Sequence, residues 1–236
     1  MSEIFDFFLD AYRNTSTVFI VLEAIAFIFG IASVWFAKKE NIMVYPTGLV
    51  ATIITVFLLY KAAYFGDMMM NFYYSVMSIY GWWNWTRKKN NEILVPISRT
   101  TFKEKIIGLF LALSTMVITY VVYITYPFWG NFFNDDLVLF SDFLTLLNSY
   151  FFNPNLENLQ YLDIFTSGIF FTAMWFMANK KIENWTLWIF ADLITVPLYA
   201  YRGLGILSLQ YLIFTILAIQ GYIAWKKSLH KNPLTL

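Results

Sequence analysis

Seven apolar stretches, each about twenty residues long, constrain this chain more than any other feature of its sequence. An α-helix rises 1.5 Å per residue, so about twenty residues cross a hydrocarbon core roughly 30 Å thick. The stretches lack the alternation of apolar and polar residues that marks the strands of a membrane barrel. The chain is therefore predicted to be an all-α integral membrane protein with helices at 17–37, 44–61, 67–86, 105–127, 161–178, 184–201 and 204–225.

The composition agrees with this class and excludes several functions. Apolar residues make up 59% of the 236 residues and charged residues only 13%, which is too little polar surface for a water-soluble globule. Without cysteine the chain has no disulfide, thiolate metal site or cysteine nucleophile, and its one histidine, His230, lies in the polar tail. We therefore predict no catalytic residue, no metal site and no cofactor. The expected surroundings are a lipid bilayer, and no nucleic acid is expected as a partner.

Lysine and arginine residues are distributed unevenly between the two sides of the predicted bundle. If alternate connections face the same side, all but Arg13, Lys61 and Arg202 of the 16 basic residues fall on one side. The positive-inside rule then orients the N-terminus outside and the C-terminus in the cytoplasm. Residues 1–16 are acidic and amphipathic, and are predicted to form a helix in the membrane interface.

A constant shift along the chain, which we call the repeat offset, aligns two parts of the sequence. It pairs Trp35 with Trp175, Gly81 with Gly221, Trp85 with Trp225, and the acidic Glu23 with Asp163. Chance matches are an alternative in so apolar a sequence, but matched tryptophans and glycines favour a duplicated three-helix unit. The offset contains four helices, so the two copies face the same way and the fourth helix connects them. This 3+1+3 arrangement is one that transporters use, with the substrate between the repeats.

The repeat divides the chain into five predicted segments. They are an interfacial segment at 1–16, a first three-helix repeat at 17–86, a linker helix and external loop at 87–160, a second three-helix repeat at 161–227 and a cytoplasmic tail at 228–236.

The sixth predicted helix carries an unusual polar and aromatic face. Its members, within an arc of roughly 80°, are Trp185, Trp188, Asp192, Thr195 and Tyr199. Asp192 lies about 12 Å from the cytoplasmic end of the helix, where a carboxylate costs several kcal/mol unless it faces a polar cavity or a partner. The alternatives are a helix-to-helix hydrogen bond for Asp192 and an interfacial belt for the tryptophans. Their common face favours a solute site in the bilayer.

Two other helices add candidate residues. Asn71 and Tyr74 lie on one stripe of the third helix, and Gln210 is polar at membrane depth on the seventh. A carboxamide in hydrocarbon needs a hydrogen-bond partner, which helix packing or a solute could supply. Trp82, Trp83 and Trp85 stand beside a basic cluster and are interpreted as an anchor at the cytoplasmic interface.

Several short motifs resemble a known family. They are Tyr64-Phe-Gly-Asp67, Asn71-Phe-Tyr-Tyr74, Tyr80-Gly-Trp-Trp-Asn-Trp85, Glu183-Asn-Trp-x-x-Trp-x-x-x-Asp192, Pro-Leu-Tyr199 and Gly221-Tyr-x-x-Trp225. Together they resemble the bacterial PnuC nicotinamide riboside transporters over nearly the whole chain. The resemblance implies a fold related to SWEET sugar transporters, a homo-oligomer in the bacterial inner membrane, and facilitated diffusion of unphosphorylated nicotinamide riboside.

That solute is compatible with the candidate residues. Tryptophan faces suit its pyridinium ring, and Asp192 can balance its charge or hold hydroxyl groups. Asn71, Asn184 and Gln210 can pair with its amide and ribose. A transporter of another flat vitamin, such as thiamine or riboflavin, is the alternative. An intramembrane enzyme using Asp192 and Glu23 is a third hypothesis, which their positions in opposite halves of the bilayer disfavour.

Overall fold

The computed structural model describes residues 15–61, 65–89, 92–93, 95–133, 139–152 and 154–231, and within them the protein is a bundle of helices. The predicted all-α membrane class is confirmed. Seven helices are long: α1 (Thr17–Lys38), α2 (Val44–Lys61), α3 (Phe65–Thr86), α4 (Phe102–Ile124), α7 (Asn158–Ala178), α8 (Glu183–Tyr201) and α9 (Gly205–Lys231). The predicted interfacial helix at 1–16 lies almost wholly outside the described residues.

The shorter elements lie between the long helices. Strands β1 (Lys88–Lys89) and β2 (Glu92–Ile93) form a small antiparallel hairpin after α3. Helices α5 (Tyr126–Phe133) and α6 (Phe140–Tyr150) occupy the stretch predicted as a loop. An N-terminal capping box starts α4, in which the Thr101 side chain accepts from the Glu104 N–H and the Glu104 carboxylate accepts from the Thr101 N–H.

Five of the long helices are long and apolar enough to cross a membrane by length and composition. They are α1, α2, α4, α7 and α9. The remaining two, α3 and α8, are less apolar because they carry the polar residues of the candidate site, including Asn71 on α3 and Asp192 on α8. The sequence predicts solute contacts on both of these helices and also at Gln210 on α9.

The long helices pack as two three-helix units. In the first unit α2 packs against α1 and α3, and in the second α8 packs against α7 and α9. The units meet where α3 packs on α7 and where α9 packs on α1, and α4 packs on the outside of α7. We call the end of the bundle that carries the α1–α2 and α7–α8 turns, with Lys38, Lys39, Lys180 and Lys181, the basic end.

Two tryptophans join the units by equivalent hydrogen bonds. The Trp85 indole N–H donates to the Met177 carbonyl at the end of α7, at 3.3 Å. The Trp225 indole N–H donates to the Ala37 carbonyl at the end of α1, at 3.0 Å. The two donors are separated by the repeat offset, and so are the two acceptors. The offset therefore relates contacts as well as residue types.

Four rings between these bonds form an aromatic cluster at the basic end, made of Tyr45, Trp85, Trp185 and Trp225. The Trp85 ring lies 5.1 Å from Tyr45 and 6.0 Å from Trp225, and Trp225 lies 5.4 Å from Trp185. All four are at least nine-tenths buried. The expectation of an interfacial anchor is wrong for Trp85, because the opposite unit covers it, whereas Trp82 and Trp83 are exposed.

Glycine permits the close helix approach on which this cluster depends. A Cβ atom built at Gly221 would lie 2.6 Å from the Trp185 ring, and one built at Gly81 would clash with the Tyr45 ring. Both pairs follow the repeat offset. The large rings of α2 and α8 thus lie directly against the backbones of α3 and α9.

We expect Gly221→Ala to lower the free energy of unfolding by about 1–3 kcal/mol, because the added methyl group overpacks a rigid ring. Gly30→Ala is the matched control, since its Cβ would lie 3.3 Å from the flexible end of the Gln210 side chain and in ordinary contact, at 3.5 Å, with the Phe214 ring. Alanine also favours a helix over glycine by about 1 kcal/mol, so the control should be neutral or stabilising. Thermal unfolding in detergent measures both, and equal stabilities would contradict the close approach.

Candidate solute-binding site

The face of α8 that carries the candidate residues lies inside the bundle. Trp185, Asp192 and Thr195 are buried, and Trp188 and Tyr199 are half-buried. The opposite face of α8 is exposed at Phe190 and Leu193. Helical periodicity thus separates the polar and aromatic face of α8 from an apolar face that suits lipid.

Asp192 has the most unusual environment of these residues. It is 1% exposed, and within the described chain neither of its carboxylate oxygens has a hydrogen-bond partner. The Tyr74 and Tyr211 hydroxyls are close enough to interact electrostatically with the Asp192 carboxylate. A buried carboxylate without a partner costs several kcal/mol, so this site favours a cationic or hydrogen-bonding solute.

Aromatic rings from four helices stand beside Asp192. Trp188 of α8 lies 6.0 Å from Tyr74 of α3 and 5.4 Å from Phe170 of α7. Tyr211 of α9 lies 6.0 Å from Phe170 and stacks on Tyr199 at 5.3 Å. We call these five residues the aromatic wall. Its faces provide the stacking surface that a flat heteroaromatic ring needs.

A cavity lies beside the aromatic wall, on the side away from the basic end. The cavity has a volume of about 30 Å³, which is room for a few water molecules. A typical ligand pocket is far larger, at roughly 300 Å³ or more. A solute the size of a nucleoside therefore enters only if helices move apart. The lining residues are Asp67, Met70, Thr119, Tyr123, Asp163, Thr166, Ser167, Phe170, Thr195, Tyr199 and Tyr211.

Charged residues cluster at one end of this cavity. The Arg202 guanidinium pairs with the Asp163 carboxylate at 2.6 Å, and the Tyr123 hydroxyl donates to the same carboxylate at 3.0 Å. Arg202 also lies 6.0 Å from the centre of the Tyr199 ring. The sequence indicated Asp163 only as the repeat partner of Glu23 and Arg202 only as a loop charge. Asp163 lies on α7, whereas Arg202 follows the last residue of α8. The two are far apart in the chain, so no local sequence pattern predicts their pairing.

Trp185 and Asn184 do not line this cavity. The Trp185 ring belongs to the aromatic cluster, and its indole N–H has no partner within the described residues. The Asn184 amide donates to the Lys181 carbonyl, while its side-chain oxygen is buried without a described partner. Both lie nearer the basic end than Asp192, so the two tryptophans of one helical face have different neighbours.

Asn71 and Gln210 also lie outside the lining. The Asn71 amide donates to the Asp67 carbonyl of its own helix at 2.9 Å, which satisfies part of its hydrogen-bonding capacity. Gln210 lies against α1, where its amide nitrogen would be 3.3 Å from a Cβ built at Gly30. Of the predicted residues, Thr195 and Tyr199 line the cavity, and Trp188, Tyr74 and Tyr199 belong to the aromatic wall. Asp192 follows Trp188 by about one helical turn on α8 and does not line the cavity.

A buried carboxylate and an aromatic wall between two helical units define a membrane transporter. Comparison with known proteins agrees. The family described as nicotinamide mononucleotide transporter matches residues 20–227, and the chain belongs to that family. It is therefore a multi-pass membrane transporter and not an enzyme.

Individual relatives carry names of the same kind. The chain is 25% identical over 210 residues to the nicotinamide riboside transporter PnuC of Escherichia coli (strain K12), a match that covers 88% of this chain and 85% of that protein. The protein of the same name from Shigella flexneri gives the same values. The crystal structure of the vitamin B3 transporter PnuC superposes with a TM-score of 0.61 at 19% identity, covering 98% of this chain and 87% of that one. This superposition supports the fold.

We expect Asp192→Asn to leave thermal stability unchanged or to raise it, because the substitution removes a buried charge that has no partner among the described residues. The control is the same substitution at Asp163, where it breaks the pair with Arg202 and should cost about 1–3 kcal/mol. Unfolding in detergent measures both variants. A loss at Asp192 as large as that at Asp163 would mean that Asp192 has a structural partner.

Proposed function

We propose that the chain transports unphosphorylated nicotinamide riboside into the cytoplasm by facilitated diffusion. The observation that carries this proposal is the buried Asp192 carboxylate, without a partner in the described chain, beside the aromatic wall. The names of the relatives point to the same solute class. The argument for the riboside itself comes from its charge and shape.

Nicotinamide riboside combines a flat ring with a positive charge. Its pyridinium ring suits the face of Trp188, since aromatic faces attract cations by roughly 0.5–2 kcal/mol. Asp192 is close enough to the wall to balance that charge once the solute has entered. A neutral nicotinamide ring would gain the stacking but not the charge balance. The site therefore favours the riboside over uncharged pyridines.

The hydroxyl and amide groups of the solute need hydrogen bonds. Thr195 and Tyr199 line the cavity, and Asn71 and Gln210 lie on helices α3 and α9 beside it. In our proposal these four residues pair with ribose and carboxamide after the helices separate. Trp185 and Asn184 then contact the solute on its way to the basic end.

Charge at the cavity argues against phosphorylated solutes. Asp67 and Asp163 line it, Asp192 lies nearby, and Arg202, at the same end, is already paired with Asp163. A phosphate group entering here would meet excess negative charge, and no lysine or arginine is among the described residues that line the cavity. We therefore propose that the mononucleotide, despite the name of the family, is not transported.

The proposed architecture is a 3+1+3 arrangement with seven membrane helices. The units α1–α3 and α7–α9, the outer position of α4 and the hydrogen bonds related by the repeat offset support it. We propose that the solute passes between the units, that the basic end faces the cytoplasm of a bacterial inner membrane, and that copies of the chain form a homo-oligomer.

A transporter of another flat vitamin is the second candidate. The aromatic wall offers stacking to any flat ring, and the Asp192 carboxylate would balance the thiazolium of thiamine as it would a pyridinium. Neither feature by itself distinguishes the two cations, and the names of the relatives favour the riboside. Riboflavin gains the stacking alone and is the weaker form of this alternative.

Tryptophan fluorescence should distinguish these solutes. We expect nicotinamide riboside, but not thiamine, riboflavin or the mononucleotide, to quench the purified protein, and Trp188→Ala and Asp192→Asn each to weaken its binding at least tenfold, about 1.4 kcal/mol. Trp83→Ala is the matched control, because Trp83 is 57% exposed and distant from the wall. Quenching by thiamine instead would replace the substrate, and an unchanged affinity in both site variants would rule out this site.

Proteoliposomes should distinguish uniport from coupled transport. With the membrane potential held at zero, we expect labelled nicotinamide riboside to reach equal concentrations inside and outside, because a uniporter only equilibrates the electrochemical potential of its cationic solute. Collapsing a sodium or proton gradient should leave the rate unchanged. Accumulation above the external concentration, lost when one gradient is collapsed, would contradict uniport and would direct attention to Asp192 as an ion site.

A further inference from the structure

A partly buried ion pair joins the two units at the basic end. The Lys180 ammonium lies 2.7 Å from the Glu40 carboxylate, and the side chains of Lys180 and Glu40 are 4% and 31% exposed. Glu40 belongs to the α1–α2 turn of the first unit and Lys180 to the α7–α8 turn of the second. The two positions are again separated by the repeat offset, so the pair connects equivalent points of the two units.

The backbone fixes both partners of this pair. Glu40 and Lys180 have positive φ angles of 55° and 51°, the left-handed conformation that ends a helix and that residues other than glycine seldom adopt. The Glu40 N–H donates to the Ala37 carbonyl and the Lys180 N–H to the Met177 carbonyl, each at 3.0 Å. Matching turns therefore direct the two side chains towards each other.

The ion pair covers the aromatic cluster. The Lys180 ammonium lies 4.6 Å from the centre of the Trp85 ring, which in turn contacts Trp225. Trp185 of the same cluster precedes Asp192 by two helical turns, about 10 Å along α8. The cluster and the pair thus stand between the proposed solute site and the water at the basic end of the bundle.

Two other ion pairs of the described residues do not cross between the units. Arg202 and Asp163 both belong to the second unit, and Lys181 pairs with Glu104 of α4. We propose that Glu40 and Lys180 form the cytoplasmic gate of the transport pathway, which must separate before the solute leaves. This inference rests on the proposed transport of a solute between the units.

The chemistry of the closed gate allows it to open. Breaking the pair is unfavourable while the Lys180 ammonium stays buried, but separation of the units lets water hydrate it. The Tyr45 hydroxyl and the Trp185 indole N–H are fully buried and lack partners within the described chain. Opening would give these groups hydrogen bonds to water, and the free energy gained would offset part of the free energy lost with the packing.

Cross-linking tests the gate directly, because the chain has no cysteine of its own. The double variant Glu40→Cys/Lys180→Cys is placed in proteoliposomes, and its two introduced thiols are joined by a short bis-thiosulfonate that a reductant can cleave. We expect the cross-link to lower uptake of nicotinamide riboside at least tenfold and a reductant to restore it. The matched control is Ser98→Cys/Lys181→Cys, whose side chains lie 3.0 Å apart but do not join the two units. Cross-linking the control should leave uptake unchanged.

Binding separates failure of the gate from failure of the proposed function. If the cross-linked protein still binds the riboside but does not take it up, the gate is supported. If the unmodified protein neither binds nor takes up the riboside, the proposed substrate is wrong. Uptake by the cross-linked pair at the uncross-linked rate would overturn the gate. So would failure of that pair to cross-link under conditions in which the control pair does.

Charge exchange provides a second test that needs no cysteine. Glu40→Lys or Lys180→Glu alone puts like charges at the gate and should lower uptake at least tenfold. Glu40→Lys/Lys180→Glu should recover uptake to within threefold of the natural protein, because the equivalence of the two units makes a lysine at position 40 face Trp225 as Lys180 faces Trp85. A double variant as slow as the slower single variant would overturn the gate.

Discussion

Two indole hydrogen bonds hold the halves of this protein in register. The last carbonyl groups of a helix have no partner within it, and in a membrane protein few water molecules are available to replace one. Trp85 and Trp225 each supply, from the opposite unit, a further donor to such a carbonyl group at the ends of α7 and α1, beside the turn N–H groups of Lys180 and Glu40. Close approach at Gly81 and Gly221 then brings the rings of Tyr45 and Trp185 into the same cluster. The position of α3 against α7 and of α9 against α1 depends on these contacts.

The proposed solute site lies beyond this closed end of the bundle. Farther along α8, Asp192 is buried without a partner among the described residues, and the rings of Trp188 and Tyr74 meet from different units. A stable helical core would pair such a carboxylate or replace it by an apolar residue. Retaining it lowers stability where a cationic solute is expected to bind, which fits a site whose function is recognition. The small volume of the neighbouring cavity means that recognition and helix movement are linked.

The sequence predicted the helical membrane class and the helix positions closely, because hydrophobic length and period depend on local residues. The predicted ends differ from those of α1, α2, α3 and α8 by at most two residues, whereas α9 continues to Lys231, well beyond the predicted end at 225. The run of apolar residues that predicts a membrane helix ends at the membrane surface, but the helix itself can continue into water, as α9 does. The inward face of α8 was likewise predictable from a period of 3.6 residues.

The sequence by itself determined the number and type of the long elements, the inward face of α8 and the resemblance to a family. Only the tertiary structure decided that Trp188 faces the aromatic wall while Trp185 packs in the cluster, and that Trp85 is buried rather than interfacial. It also decided the pairing of Asp163 with Arg202 and of Glu40 with Lys180. The reason is physical: periodicity reports which side of a helix is buried, but the atoms that bury it belong to other helices, distant in the chain.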